Sequence, residues 1–216
     1  MGEARVLVAT DDERIAAEAE AAGADRVMTS SGCANGTERV AEAVAGLGEA
    51  PGIVVNLQGD APLTPPWFIA SLIEAMTADP SIEVATPVLT ATAGQLVRFR
   101  SDRAAGRVGA TTAVTDSKGR ALYFSKEVLP FGADESTPVL YHVGVYAYRP
   151  AALRRFAGLP PGRAERAEGL EQLRFLENGI GVRCVEVEAR GHDFWEVNSP
   201  EDIPRVEAIL TAEGRP

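Results

Sequence analysis

A chain of 216 residues is long enough to bury a real core and holds one domain or at most two. Its 45% hydrophobic and 24% charged residues are ordinary for a soluble globular protein, and its net charge of −10 argues against a nucleic-acid-binding surface. Cys33 and Cys184 form neither a disulfide framework nor a zinc pattern, so a reducing cytoplasm is the expected compartment; no apolar run nears the roughly 18 residues of a membrane span, and the charged start MGEARVLVATDD is not a signal peptide.

The chain reads as alternating strands and helices. RVLVAT is a strand, and DDERIAAEAEAAG is a helix opened by acids and closed by Gly23. DRVMT is a second short strand. TERVAEAVAGLG follows as a helix, with Val40, Ala43, Val44 and Leu47 at helical spacing. GIVVNLQG, a β-branched run bounded by turn residues, is the next strand. Pro65 and Pro66 suit the start of the helix WFIASLIEAM, where no N–H is needed. IEVATPVL is again a strand, and the order so far implies a mostly parallel sheet with right-handed crossovers. In the second half, ATTAVTDSKGRALYFS has the form of a hairpin around Ser117-Lys118-Gly119. LYHVGVYAY alternates and is β-rich. AERAEGLEQLRFLENG is an amphipathic helix stopped at Asn178-Gly179, GVRCVEVEA is a strand, and SPEDIPRVEAILTAEG is a closing helix capped by Ser199. The expectation is one α/β domain over residues 1–216, with a β-rich subdomain at 107–149.

Ligands of open α/β sheets bind past the carboxyl ends of strands. Asp60, in LQGDAPLTPP, is a carboxylate at such an end, and Gly59 allows close approach to the backbone. It is either a metal ligand or a turn-capping Asp. SSGCANGTER is the glycine-bearing loop that enters a helix early in the chain, and its N–H groups suit a phosphate or a base edge. Capping by Asn35 or Thr37 explains it equally well. There is no G-x-G-x-x-G and no Walker A motif.

VATDD, NGTERVAE, VNLQGDAP, ALYFSK, YHVGVYAYR, LEQLR and VNSPEDI occur in that order across residues 8–203. In this the chain resembles the 3-deoxy-manno-octulosonate cytidylyltransferases, or CMP-KDO synthetases. The resemblance implies a nucleotide-diphospho-sugar transferase-like, Rossmann-like α/β fold with a β-rich dimerisation insertion. It implies a cytidylyltransferase that moves CMP from CTP to the anomeric hydroxyl of KDO and releases diphosphate, with Mg²⁺ as cofactor. The product would serve lipopolysaccharide synthesis in the cytoplasm. The resemblance also assigns residues. Asp60 matches the carboxylate that ligates Mg²⁺, a hard cation that takes oxygen ligands, and Gln58 stands where nucleotide and sugar meet. NGTER matches a cytidine-contacting loop, so Asn35, Gly36, Thr37 and Arg39 are nucleotide-binding candidates. His142 matches a histidine that faces the sugar, and Lys126 stands where relatives often carry Arg. Glu168 and Gln172 match positions lining the sugar pocket; at i, i+4 they are expected to share a helix face. Without the match, these are ordinary capping, ion-pair, strand and helix-surface residues.

The chain departs from the family pattern at four points. The family opens with IPARxxSxRxPGKxL, whose basic residues hold the CTP phosphates, and no such loop precedes RVLVAT. The expectation is an N-terminally shortened chain with little activity until an upstream β-loop-α unit of roughly 30 residues is restored. RVLVAT or its neighbour is then expected to keep an unpaired edge and an uncovered face. Asn198 stands for a second metal-binding Asp, Cys33 for a histidine, and Thr111-Thr112 near a lost lysine. The alternatives are a non-catalytic or weakly active relative that binds a nucleotide or sugar acid, or a synthetase for another 2-keto-sugar acid. A homodimer through 107–149 is expected, because LYHVGVYAY is too apolar for a bare edge strand.

Overall fold

The chain begins with β1 (Leu7–Thr10), α1 (Glu13–Ala21), β2 (Asp25–Met28) and α2 (Gly36–Ala45), as seen in a computed structural model that describes residues 4–49, 51–108, 110–134, 137–192, 197 and 200–212. β1 and β2 run parallel, Leu7 opposite Asp25 and Thr10 opposite Met28, as a two-stranded sheet of their own. Asp12 caps α1 by accepting the Arg14 amide, and Asn35 caps α2 by accepting the Glu38 amide.

Next come β3 (Val54–Leu57), α3 (Pro66–Ala78), β4 (Val84–Thr90), α4 (Ala93–Ala104), β5 (Thr112–Thr115), β6 (Ala121–Ser125), β7 (Leu140–His142) and β8 (Val145–Tyr148). The chain closes with α5 (Pro150–Ala157), α6 (Arg163–Glu168), α7 (Leu173–Glu177), β9 (Val182–Glu186) and α8 (Ile203–Ala212). The main sheet has the order β3-β8-β4-β7-β5-β6, with β9 on β4.

This sheet corrects the expectation of mostly parallel pairing. Among its described strands only β4–β9 is parallel; β3–β8, β4–β8, β4–β7, β5–β7 and β5–β6 are antiparallel. The physical reason is LYHVGVYAY. Its two halves, β7 and β8, run back along β4, and β8 is inserted between β3 and β4. The β3-α3-β4 crossover survives, but a reversed strand fills the gap between its two strands. LYHVGVYAY is therefore no edge strand: β4 pairs one side of it, and β3 and β5 pair the other. Its apolar character needs no second chain. The hairpin at 117–119 is present, and Cys184 on β9 donates its amide to Gly119 at 2.8 Å.

Both faces of the main sheet are buried, which is why its central strand reads as a continuous apolar run. Along β4, Val84 and Val88 face one core with Tyr146, Tyr148, Phe156 and Phe175. Ala85 and Leu89 alternate to the other face, against Phe68, Leu72 and Met76 of α3. Those three α3 residues sit four apart on one helix face and are at most 1% exposed. Each contributes roughly 1.5–3 kcal/mol by burial.

Two helices, α4 and α5, escaped the periodicity reading. α4 carries its own signal, a capping box in which Thr92 and Gln95 satisfy each other's backbone amides. The segment AERAEGLEQLRFLENG, expected as one helix, is two. Gly169 takes the left-handed conformation at φ 63° and ends α6, so Glu168 and Gln172 do not share a helix face. Among the described strands β1 pairs β2 alone, and β3 pairs β8 alone. α2 packs against both β1 and β3 and lies along α5. The Ser199 cap and Asn198 lie outside the described residues.

Candidate active site

A cleft of about 930 Å³ opens where the start of α2, the end of β3, the β7–β8 kink and the α6–α7 turn meet, with α4 along one side. Asn35, Gly36, Gln58, His142 and Gln172 line it. Five of the eleven residues singled out in the sequence therefore converge from four separate stretches of chain.

On one wall, the first turn of α2 lies close to the polar end of β3. A methyl group on Gly36 would come within 3.5 Å of Asn56 Nδ2 and 3.7 Å of Gln58 Nε2. Asn56 is 6% exposed, and its Nδ2 has no partner among the described residues. Thr37 turns inward instead. Its hydroxyl lies 3.0 Å from the Tyr148 hydroxyl and donates to Glu171 Oε1 at 3.0 Å, and its amide donates to Glu171 Oε2 at 3.4 Å. Burial raises the pKa of Glu171, an effect the two Thr37 hydrogen bonds only partly offset. Arg39 points to the ends of β1 and β2, pairing with Asp11 at 3.1 Å and donating to the Thr29 hydroxyl at 2.7 Å.

On the other wall, the His142 ring meets Phe124 edge-on and Tyr146 at a tilt, 5.4 and 5.2 Å between ring centres. Its Nε2 is closed off from solvent and has no partner among the described residues. Burial pulls its pKa down to about 3, so the imidazole is neutral across the physiological range. Gln172 is 3% exposed, and its Nε2 also lacks a partner among the described residues. Glu168 is committed to β6: its carboxylate accepts from the Ser125 hydroxyl at 2.7 Å and the Lys126 amide at 2.9 Å. Lys126 stands at the rim, because a methyl group on the cleft-lining Gly169 would come within 3.0 Å of its Nζ.

Asp60 is exposed in the turn after β3, two residues beyond the cleft-lining Gln58, and its carbonyl accepts the Val197 amide at 2.7 Å. Among the described residues it joins no cluster of three or more His, Cys, Asp or Glu. A single exposed carboxylate fits Mg²⁺, which keeps waters and takes one or two carboxylates beside substrate phosphates.

Sequence reasoning missed Glu171 and Arg174, although both lie within LEQLR, and it missed Tyr148. It also missed Gln95 and Arg98 of α4, which line the cleft; with α4 unread, no periodicity pointed to them. No helix among the described residues is long and apolar enough to cross a membrane.

The family model for cytidylyltransferases matches residues 2–188. The 3-deoxy-manno-octulosonate cytidylyltransferase of Maricaulis maris is 47% identical over 97% of this chain and 82% of its own length. That of Chlamydia felis is 38% identical over 96% and 77%. Among solved structures, CMP:2-keto-3-deoxy-manno-octonic acid synthetase complexed with CTP superposes with a TM-score of 0.84 at 33% identity, over 98% of this chain and 83% of that one. A putative glucose-1-phosphate thymidylyltransferase from Bacillus anthracis shares the fold at a TM-score of 0.55 and 10% identity, over 91% and 71%. With five candidate residues on one cleft and relatives this similar over nearly its full length, the chain belongs to the cytidylyltransferase family, among the 3-deoxy-manno-octulosonate cytidylyltransferases.

Proposed function

We propose that this protein transfers CMP from CTP to the anomeric hydroxyl of 3-deoxy-manno-octulosonate, releasing diphosphate. The observation that carries the site assignment is that His142 and Gln172, each with a buried side-chain nitrogen that lacks a partner among the described residues, line the same cleft as Asn35, Gly36 and Gln58. Buried polar atoms without partners are rare and costly unless a ligand satisfies them, and a polyhydroxy acid supplies the hydroxyls. The start of α2 and Gln58 take the nucleotide. His142, Gln172 and the Lys126 ammonium take the sugar acid. Arg98 adds a second cation on that cleft.

In the reaction an oxygen–phosphorus bond forms between the sugar and the α-phosphate, the bond to the diphosphate breaks, and the hydroxyl proton passes to water. Positioning and charge neutralisation carry most of such a transfer. Neutral His142 accepts or donates one hydrogen bond without adding charge. Gln172 donates from its amide, and Lys126 offsets the sugar carboxylate. Asp60 is the residue that holds Mg²⁺; the ion supplies neutralisation of phosphate charge and a more acidic attacking hydroxyl. The enzyme acts in the cytoplasm, as a homodimer through 107–149. With LYHVGVYAY internal to the sheet, that interface rests on exposed Val108, Leu122 and fully exposed Phe131.

The test is diphosphate release with CTP and Mg²⁺, comparing 3-deoxy-manno-octulosonate with N-acetylneuraminate. Turnover is expected with the first, in a form that carries an upstream β-loop-α unit as well as residues 1–216. Equal turnover with both, or turnover with the second alone, would refute the substrate assignment.

A further inference from the structure

We infer that Arg174 is a positioning residue that holds the nucleotide-facing wall of the cleft in register with the sugar-facing wall. The inference rests on the assignment of Asn35 and Gly36 to the nucleotide. Arg174 lies on α7 and is 2% exposed, a degree of burial that a charge tolerates only with partners. Its Nε and Nη2 donate to the two oxygens of Glu165 at 2.8 and 2.6 Å. Its Nη1 donates to Glu38 Oε1 at 2.9 Å and to the Leu159 carbonyl at 3.2 Å. The guanidinium lies over the Phe156 ring, 4.1 Å from its centre.

Glu38 passes this hold to the loop before α2. Its Oε2 accepts the Ala34 amide at 2.8 Å, and its Oε1 accepts from Asn35 Nδ2 at 3.3 Å. Three residues before Arg174, Glu171 holds the amide and hydroxyl of Thr37. The segment 170–174 thus grips residues 34–37 at two points. Asn35 and Gly36 on one side of this grip, and Glu171 and Gln172 on the other, line the same cleft.

Core filling alone does not call for this arrangement, because an apolar side chain usually replaces a buried ion network at no loss of stability. A planar fork shared between carboxylates on two helices does something an apolar residue cannot: it fixes a distance and an angle. Lysine keeps the charge but loses the fork. In-line transfer between two bound substrates is sensitive to misplacement of about an ångström.

Arg174→Lys is therefore the test, with hydrogen exchange and steady-state kinetics as readouts. Exchange at the Ala34 and Thr37 amides should speed up about tenfold, and KM for CTP should rise about tenfold while KM for the sugar acid stays within about twofold. Glu38→Gln should reproduce the effect, and the double variant should be no worse than the worse single one, as expected for a shared contact. Asn35→Ala is the control on the nucleotide assignment and should raise KM for CTP by itself. If Arg174→Lys lowers the melting temperature but leaves exchange at 34–37 and both KM values unchanged, Arg174 is merely structural and the inference falls. If Asn35→Ala leaves KM for CTP unchanged, the nucleotide assignment fails first and takes the inference with it.

Discussion

Lowering the pH probes the surroundings of His142 directly. Burial pulls its pKa from 6.5 to about 3. Below about pH 6.5 the unfolded chain takes up a proton at this ring that the folded chain refuses until about pH 3. The stability contributed by the neutral ring is therefore fully present above pH 6.5 and is lost as pH falls towards 3. Each pH unit in that window is about 1.4 kcal/mol, so moving from about pH 7 to about pH 5 costs about 2 kcal/mol for a fully buried imidazole. The Nε2 is closed off, but part of the ring's surface lies on the cleft; water there trims the cost to about 1–2 kcal/mol. Urea unfolding of the wild type and of His142→Gln, near pH 7 and near pH 5, measures it. The wild type should lose about 1–2 kcal/mol more than the variant between the two conditions. Glu171 acts in the opposite sense, since its raised pKa favours proton uptake by the folded chain as pH falls. It is present in both proteins and cancels in the difference. Parallel pH dependences would show that the ring is not desolvated, and the reasoning would fail.

Asp60→Asn removes the carboxylate assigned to Mg²⁺. It should abolish metal-dependent CTP binding, measured by calorimetry with and without the ion, while leaving the unfolding midpoint near that of the wild type because the side chain is exposed; an unchanged Mg²⁺ dependence would place the metal elsewhere. Phe131→Asp puts a charge at the most exposed apolar side chain of 107–149. It should convert the proposed homodimer to monomer in light scattering, and an unchanged mass would move the interface away from this loop.

Most of the strands were legible because period-2 and β-branched runs survive whichever neighbour a strand takes. Pairing was not. VATPVL and VYAY each declare a strand buried on both faces, yet nothing local tells them that they will lie side by side and antiparallel. The one-helix reading of AERAEGLEQLRFLENG followed apolar spacing and discounted Gly169, the residue whose left-handed backbone breaks the helix. The site followed the same division. Asn35, Gly36, Gln58, His142 and Gln172 came from motif matches and do meet on the cleft. Thr37, Arg39 and Glu168 came from the same matches, but in the structure their side chains are occupied by protein partners. A motif marks a segment, and only packing decides which of its side chains face the ligand.

α2 shows what that packing must achieve. No backbone ladder joins the β1–β2 pair to the main sheet among the described residues. α2 touches strands of both sheets, and its first turn carries Asn35 and Gly36 to the cleft. Its body is held by the apolar contacts of Ala41, Val40 and Val44 with the core beneath. Such contacts resist separation but are non-directional and leave sliding and rotation weakly opposed. Hydrogen bonds to charged groups are directional and stronger than neutral ones. Two sets of them hold the first turn of α2, from Glu171 and through Arg174. Depth of burial thus keeps the helix on the sheet, while the 170–174 segment sets where its mouth points. The wall opposite, with Gln172, belongs to that same segment. The first turn of α2 and the wall that carries Gln172 therefore share these charged contacts, and a change on either side is transmitted to the other through side chains as well as through packing.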